Sequence, residues 1–69
     1  MTNKNASEIY FKPRILVVDD EKRIRDGCHK VLTQEGFDVA RAETGELGIK
    51  MIEEAHYDII LLDLMMPGL

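Results

Sequence analysis

Sixty-nine residues bound the chain to one small domain, able to hide only about 60% of the surface that its unfolded form exposes. Hydrophobic residues at 45% exclude a disordered tail, and 13 acids against nine bases leave a net charge of -4, wrong for a nucleic-acid contact surface. A single cysteine excludes an internal disulfide framework, and no aliphatic run is long enough for a signal peptide or a membrane span.

Residues 1–13 read as a flexible polar leader closed by Pro13, with Ile9, Tyr10 and Phe11 its only apolar patch. The run Arg14-Ile15-Leu16-Val17-Val18 follows and stops at Asp19-Asp20-Glu21. Consecutive aliphatics without alternation predict a strand covered on both faces. From Glu21 to Glu35 the period becomes helical, with Ile24, Cys28, Val31 and Leu32 forming one stripe. Gly36 stands where a left-handed C-terminal cap belongs. Gly27, unfavourable inside a helix, predicts close packing at that point. Phe37–Ala42 is a weaker strand of mixed polarity, suited to a sheet edge.

Thr44 is placed to cap a second helix, with Glu46 in its first turn and Leu47, Met51, Ile52 and Ala55 on its apolar side. Asp58-Ile59-Ile60-Leu61-Leu62-Asp63 is a third strand, and Leu64-Met65-Met66-Pro67-Gly68 is a turn. The order is therefore βαβαβ, which predicts parallel strands joined by right-handed crossovers. The third strand is as apolar as a mid-sheet strand, so residues 14–69 are expected to form the first half of a larger α/β domain. Taken alone, its bare edge and face predict self-association through that strand, or else a largely unfolded chain.

Ligands of open parallel sheets bind beyond the carboxyl ends of the strands. Asp19 and Asp20 end the first strand and Asp63 ends the third, so neighbouring strands would bring three carboxylates together. Such a cluster repels itself unless a cation or a raised pKa relieves it. An all-oxygen ligand set favours a hard ion, Mg²⁺ before Ca²⁺.

The motifs Ile15-Leu16-Val17-Val18-Asp19-Asp20-Glu21 and Asp63-Leu64-Met65-Met66-Pro67-Gly68 resemble those of a receiver domain of a two-component response regulator. The Gly36-Phe37 turn and Thr44-Gly45-Glu46 match as well. The resemblance covers residues 14–69 and implies a flavodoxin-like fold, sheet order 2-1-3-4-5, of which these residues supply 2-1-3. It also implies that Asp63 is the phosphoacceptor. Asp20 would bind Mg²⁺ directly, Asp19 mainly through water, and the main-chain carbonyl of Met65 would be a further ligand. The donor would be a phosphohistidine on a histidine kinase or phosphotransfer protein, or a small acyl phosphate. The implied role is that of a cytoplasmic signalling domain modified on its own Asp63, rather than an enzyme.

Receivers also use a Ser or Thr after a fourth strand and a Lys after a fifth, and the 69 residues contain neither segment. The alternative reading is thus a catalytically silent receiver fragment, acting only by self-association or partner binding. A haloacid-type phosphotransferase would want an Asp-x-Asp pair at the nucleophile, which Asp63-Leu64-Met65 does not supply. Blander readings stand beside these. Asp63 could solubilise a strand end, and Asp19-Asp20-Glu21 could serve the dipole of the following helix. Cys28 reads as a small core residue, His29 and His56 as solvated, and Lys22, Arg23 and Arg25 as a solvated face.

Overall fold

A computed structural model describes residues 11–63. Their elements are β1 (Arg14–Val18), α1 (Lys22–Gln34), β2 (Asp38–Ala42), α2 (Gly45–Glu54) and β3 (Ile59–Leu62), in the expected βαβαβ order. Both strand pairs are parallel and the sheet order is β2-β1-β3, the 2-1-3 portion expected of a flavodoxin-like sheet. β1 is the strand with a neighbour on each side, and Ile15, Leu16, Val17 and Val18 are all buried there. Strand alternation gives the sheet two faces. Leu16, Val18 and Ala42 form the core beneath α2, joined by Ala40, Met51 and Tyr57, while Ile15 and Val17 point to the opposite face, beneath α1.

The turns follow from their local chemistry. Gly36 takes φ 98°, the left-handed region that favours glycine. Its N–H donates to the Thr33 carbonyl at 3.0 Å and that of Phe37 to the Leu32 carbonyl at 3.1 Å, a Schellman closure of α1. Thr44 Oγ1 accepts from the Leu47 N–H at 3.0 Å and caps α2 as anticipated.

Two helix expectations are corrected. Gly27 marks no close packing: its α1 position is exposed, and a Cβ there would meet nothing within 4 Å. The close approach is instead at Gly48 of α2, buried with its missing Cβ 3.0 Å from a Val18 methyl. Gly27→Ala should therefore stabilise the chain by about 1 kcal/mol, through helix propensity alone. Thermal unfolding would register this as a rise in midpoint of about 4–8 °C. The apolar stripe of α1 is also less covered than its periodicity implies. Cys28 and Leu32 are part-buried, but Ile24 and Val31 are half exposed, because α1 packs on β1 and β2 and does not reach β3.

α2 likewise packs on β1 and β2 alone. Ile59, Ile60, Leu61 and Leu62 each keep 41–45% of their surface exposed. Beside them a groove of about 260 Å³ runs between α2 and β3, lined by Val18, Gly48, Ile49, Ile52, Ile60 and Leu62.

Opposite charges close the amino ends of the strands. Arg14 pairs with Asp38 at 3.3 Å and lies over the Tyr57 ring. Its N–H donates to Asp58 Oδ2 at 2.8 Å, and the Asp58 N–H donates to the Arg14 carbonyl. The first of these bonds, with support from His56, holds the Asp58 carboxyl below the usual carboxylate range. Asp26 is held low in the same sense by the Lys22 ammonium and then by Arg41.

Candidate functional site

The carboxyl ends of the strands have the opposite character. The parallel ladder continues one residue past each strand: the Asp19 N–H donates to the Ala42 carbonyl and the Asp63 N–H to the Val18 carbonyl, both at 3.1 Å. With Val18 in register with Leu62, the next residues on the two strands, Asp19 and Asp63, emerge side by side. Adjacent strands lie about 4.8 Å apart, so two carboxylates leaving one face at this register must meet. Asp20 follows on the turn into α1. One ligand oxygen from each of Asp19, Asp20 and Asp63 lies within 4.8 Å of the others. Among the described residues this is the one group of three or more His, Cys, Asp or Glu side chains so arranged.

The three acids are held differently. Asp19 retains 9% of its surface, Asp63 is half-buried and Asp20 is exposed. Asp19 Oδ1 accepts from the Glu21 N–H at 2.9 Å, bracing the turn that starts α1. This differs from a helix cap, since the N-cap residue Glu21 makes no side-chain capping bond and the first turn of α1 holds no acid.

Sequence reasoning missed Arg25. Read as part of a solvated face, it is part-buried, and its Nη1 donates to the Asp19 carbonyl at 2.8 Å. The signal was present: a cation one turn into a helix that starts at the acidic pair can fold back over that pair. Lys22 and Arg23 are exposed as expected, and His29 and His56 lie away from the cluster. Met65, with the rest of the turn after Asp63, lies outside the described residues, as do residues 1–10 of the leader.

An acidic pair after the first strand of a parallel sheet, meeting an Asp after the third, narrows the family sharply. Residues 15–69 match the family model described as the response regulator receiver domain. The chain belongs to that family. Similar proteins include the transcriptional regulatory protein ResD of Bacillus subtilis, 53% identical over 55 residues, which are 80% of this chain and 23% of that one. The transcriptional regulatory protein AfsQ1 of Streptomyces coelicolor is 40% identical over 57 residues, 83% of this chain and 25% of its own. An uncharacterized transcriptional regulatory protein of Bacillus subtilis, YcbL, is 39% identical over 54 residues, 78% and 24% of the two chains. This receiver chain thus spans about a quarter of the length of these relatives. No solved structure is a significant match. Among the described residues, no helix is long and apolar enough to cross a membrane.

The donor set suits a hard cation. All three groups are carboxylates, and the exposure of Asp20 leaves room for bound water, which Mg²⁺ retains.

Proposed function

We propose that the chain is the phosphoacceptor portion of a two-component response regulator. The acceptor is the Asp63 carboxylate, and the donor is a phosphohistidine of a histidine kinase or phosphotransfer protein in the cytoplasm. The supporting observation is the convergence of the Asp19, Asp20 and Asp63 oxygens within 4.8 Å at the carboxyl end of the sheet. The similar proteins described as transcriptional regulatory proteins support placing this acceptor upstream of transcription control.

In the transfer, an Asp63 oxygen forms the new bond to phosphorus as the bond to the donor breaks, and the donor imidazole or carboxylate keeps the electron pair. Both reactants are anionic, so their approach is the electrostatic problem. Mg²⁺, held by Asp19, Asp20, Asp63 and the main-chain carbonyl of Met65, would neutralise that charge when bound. Asp19 and Asp20 supply carboxylates to the ion, and the ladder bond from the Asp63 N–H to Val18 fixes the backbone of the acceptor.

Two measurements test this reading. Titration with Mg²⁺ should shift the amide signals of Asp20, Asp63 and Met65; shifts confined to acids elsewhere, such as Glu53 and Glu54, would overturn the metal site. Incubation with a small acyl phosphate and Mg²⁺, then borohydride trapping and mass mapping, should place any label on Asp63. A label elsewhere counts against the acceptor.

A second reading rests on β3. Its four half-exposed aliphatics, and an edge unpaired within the described residues, favour a fragment that acts by self-association through this strand without phosphotransfer. Labelling of Asp63 separates the two.

A further inference from the structure

We infer that Arg25 is a positioning residue of the acidic site: it clamps the main chain of Asp19 so that the carboxylates of the pair are aimed at Asp63 before any cation arrives. The inference rests on the cation-site reading above and adds a residue of α1 to it.

Asp19 is fixed at three points. Its N–H donates to Ala42 at 3.1 Å, its Oδ1 accepts from Glu21 at 2.9 Å, and its carbonyl accepts from Arg25 Nη1 at 2.8 Å. The first bond belongs to the sheet and the second to the turn itself. The third ties the turn to α1, one turn into that helix. Without it the Asp19 carbonyl loses its partly buried partner, and the peptide between Asp19 and Asp20 is less restrained. That peptide sets where the Asp20 carboxylate stands relative to that of Asp19. The guanidinium suits the task because it donates in a fixed planar geometry.

Arg25 could instead act merely as a nearby positive charge. The two roles differ in sign. A cation beside a cation site repels the incoming ion, so on Coulomb grounds alone its removal tightens Mg²⁺ binding. If Arg25 positions the ligands, its removal weakens binding, by about tenfold as is usual when an outer-shell partner of a metal ligand is lost.

The experiment is Mg²⁺ titration of the 69-residue chain by amide shifts, comparing wild type with Arg25→Ala, Arg25→Gln, Arg25→Lys and the exposed control Arg23→Ala. Arg25→Ala and Arg25→Gln should raise the Mg²⁺ Kd about tenfold, Arg25→Lys should recover part of the loss, and Arg23→Ala should leave the Kd unchanged or slightly lower. Either neutral variant suffices if its amide dispersion shows it folded. In wild type, the Arg25 guanidinium protons should exchange more slowly than those of Arg23, and more slowly still with Mg²⁺, a reading that needs no variant. Equal or tighter Mg²⁺ binding by the neutral variants, or guanidinium exchange at Arg25 as fast as at Arg23, overturns the inference. Failure of wild type to bind Mg²⁺ at Asp20 and Asp63 overturns the cation-site reading itself and takes this inference with it.

Discussion

Asp63→Asn should reduce acyl-phosphate labelling of the chain to background, even though twelve other acids remain. The side-chain amide that replaces the carboxylate is not a nucleophile, and no neighbouring acid occupies its position at the end of β3. Asp20→Asn should behave differently. It removes a proposed ligand and leaves the nucleophile, so labelling should fall at low Mg²⁺ and recover in part as Mg²⁺ is raised. Asp63→Asn should show no such recovery. A polypeptide limited to these 69 residues should label slowly. The Ser or Thr and the Lys implied by resemblance to receivers would each hold a phosphoryl oxygen, and one such donor is typically worth about 10²–10³ in rate. These 69 residues provide neither segment. A label surviving Asp63→Asn would show that the acceptor is misassigned, and a rate equal to that of an intact receiver would show that those donors are not needed.

How much of this was legible depends on the kind of signal. The aliphatic runs of β1 and β3 could only be strands, because each is short, β-branched and closed by acids. Once two helical stripes separated them, a parallel sheet followed, and Asp19 and Asp63 fell on one edge. That part of the site is a consequence of register, which sequence order nearly determines. The coverage of the faces is different. Periodicity shows which side of α1 is apolar but not how far that side reaches across the sheet, so Ile24 and Val31 look like core and are half exposed. Gly27 and Gly48 are indistinguishable as letters in helices. Only the crossing of α2 over Val18 separates a close approach from an open surface. Arg25 escaped because a charged helix residue reads as solvated until the preceding turn is seen to lie within its reach.

The other large effect concerns β3. The 69-residue chain at high concentration should be a dimer or a larger assembly through this strand. Within the described residues β3 pairs on one side only, with β1, and neither helix covers it. Four consecutive aliphatics are thus 41–45% exposed beside the apolar groove against α2. Re-covering a few hundred Å² at about 25 cal/mol per Å² offers several kcal/mol before association costs, a magnitude close to the whole stability of a small domain. A second copy fits geometrically, since an antiparallel pair centred between Ile60 and Leu61 places equal lengths of strand on each side. That register has one unfavourable feature, because it sets Asp58 opposite Asp63 of the second copy at both ends. Like charges opposed across strands are destabilising, and salt screens them. Association should therefore strengthen as salt is raised, the reverse of an assembly held by ion pairs. Leu61→Lys should oppose it, since a lysine on an edge strand is a standard obstacle to further pairing. Sedimentation and native mass measurements would show the assembly, its salt dependence and its loss in the variant. A monomeric mass at high concentration, together with a well-dispersed amide spectrum, would mean that β3 tolerates its exposure and that the chain does not use it to self-associate.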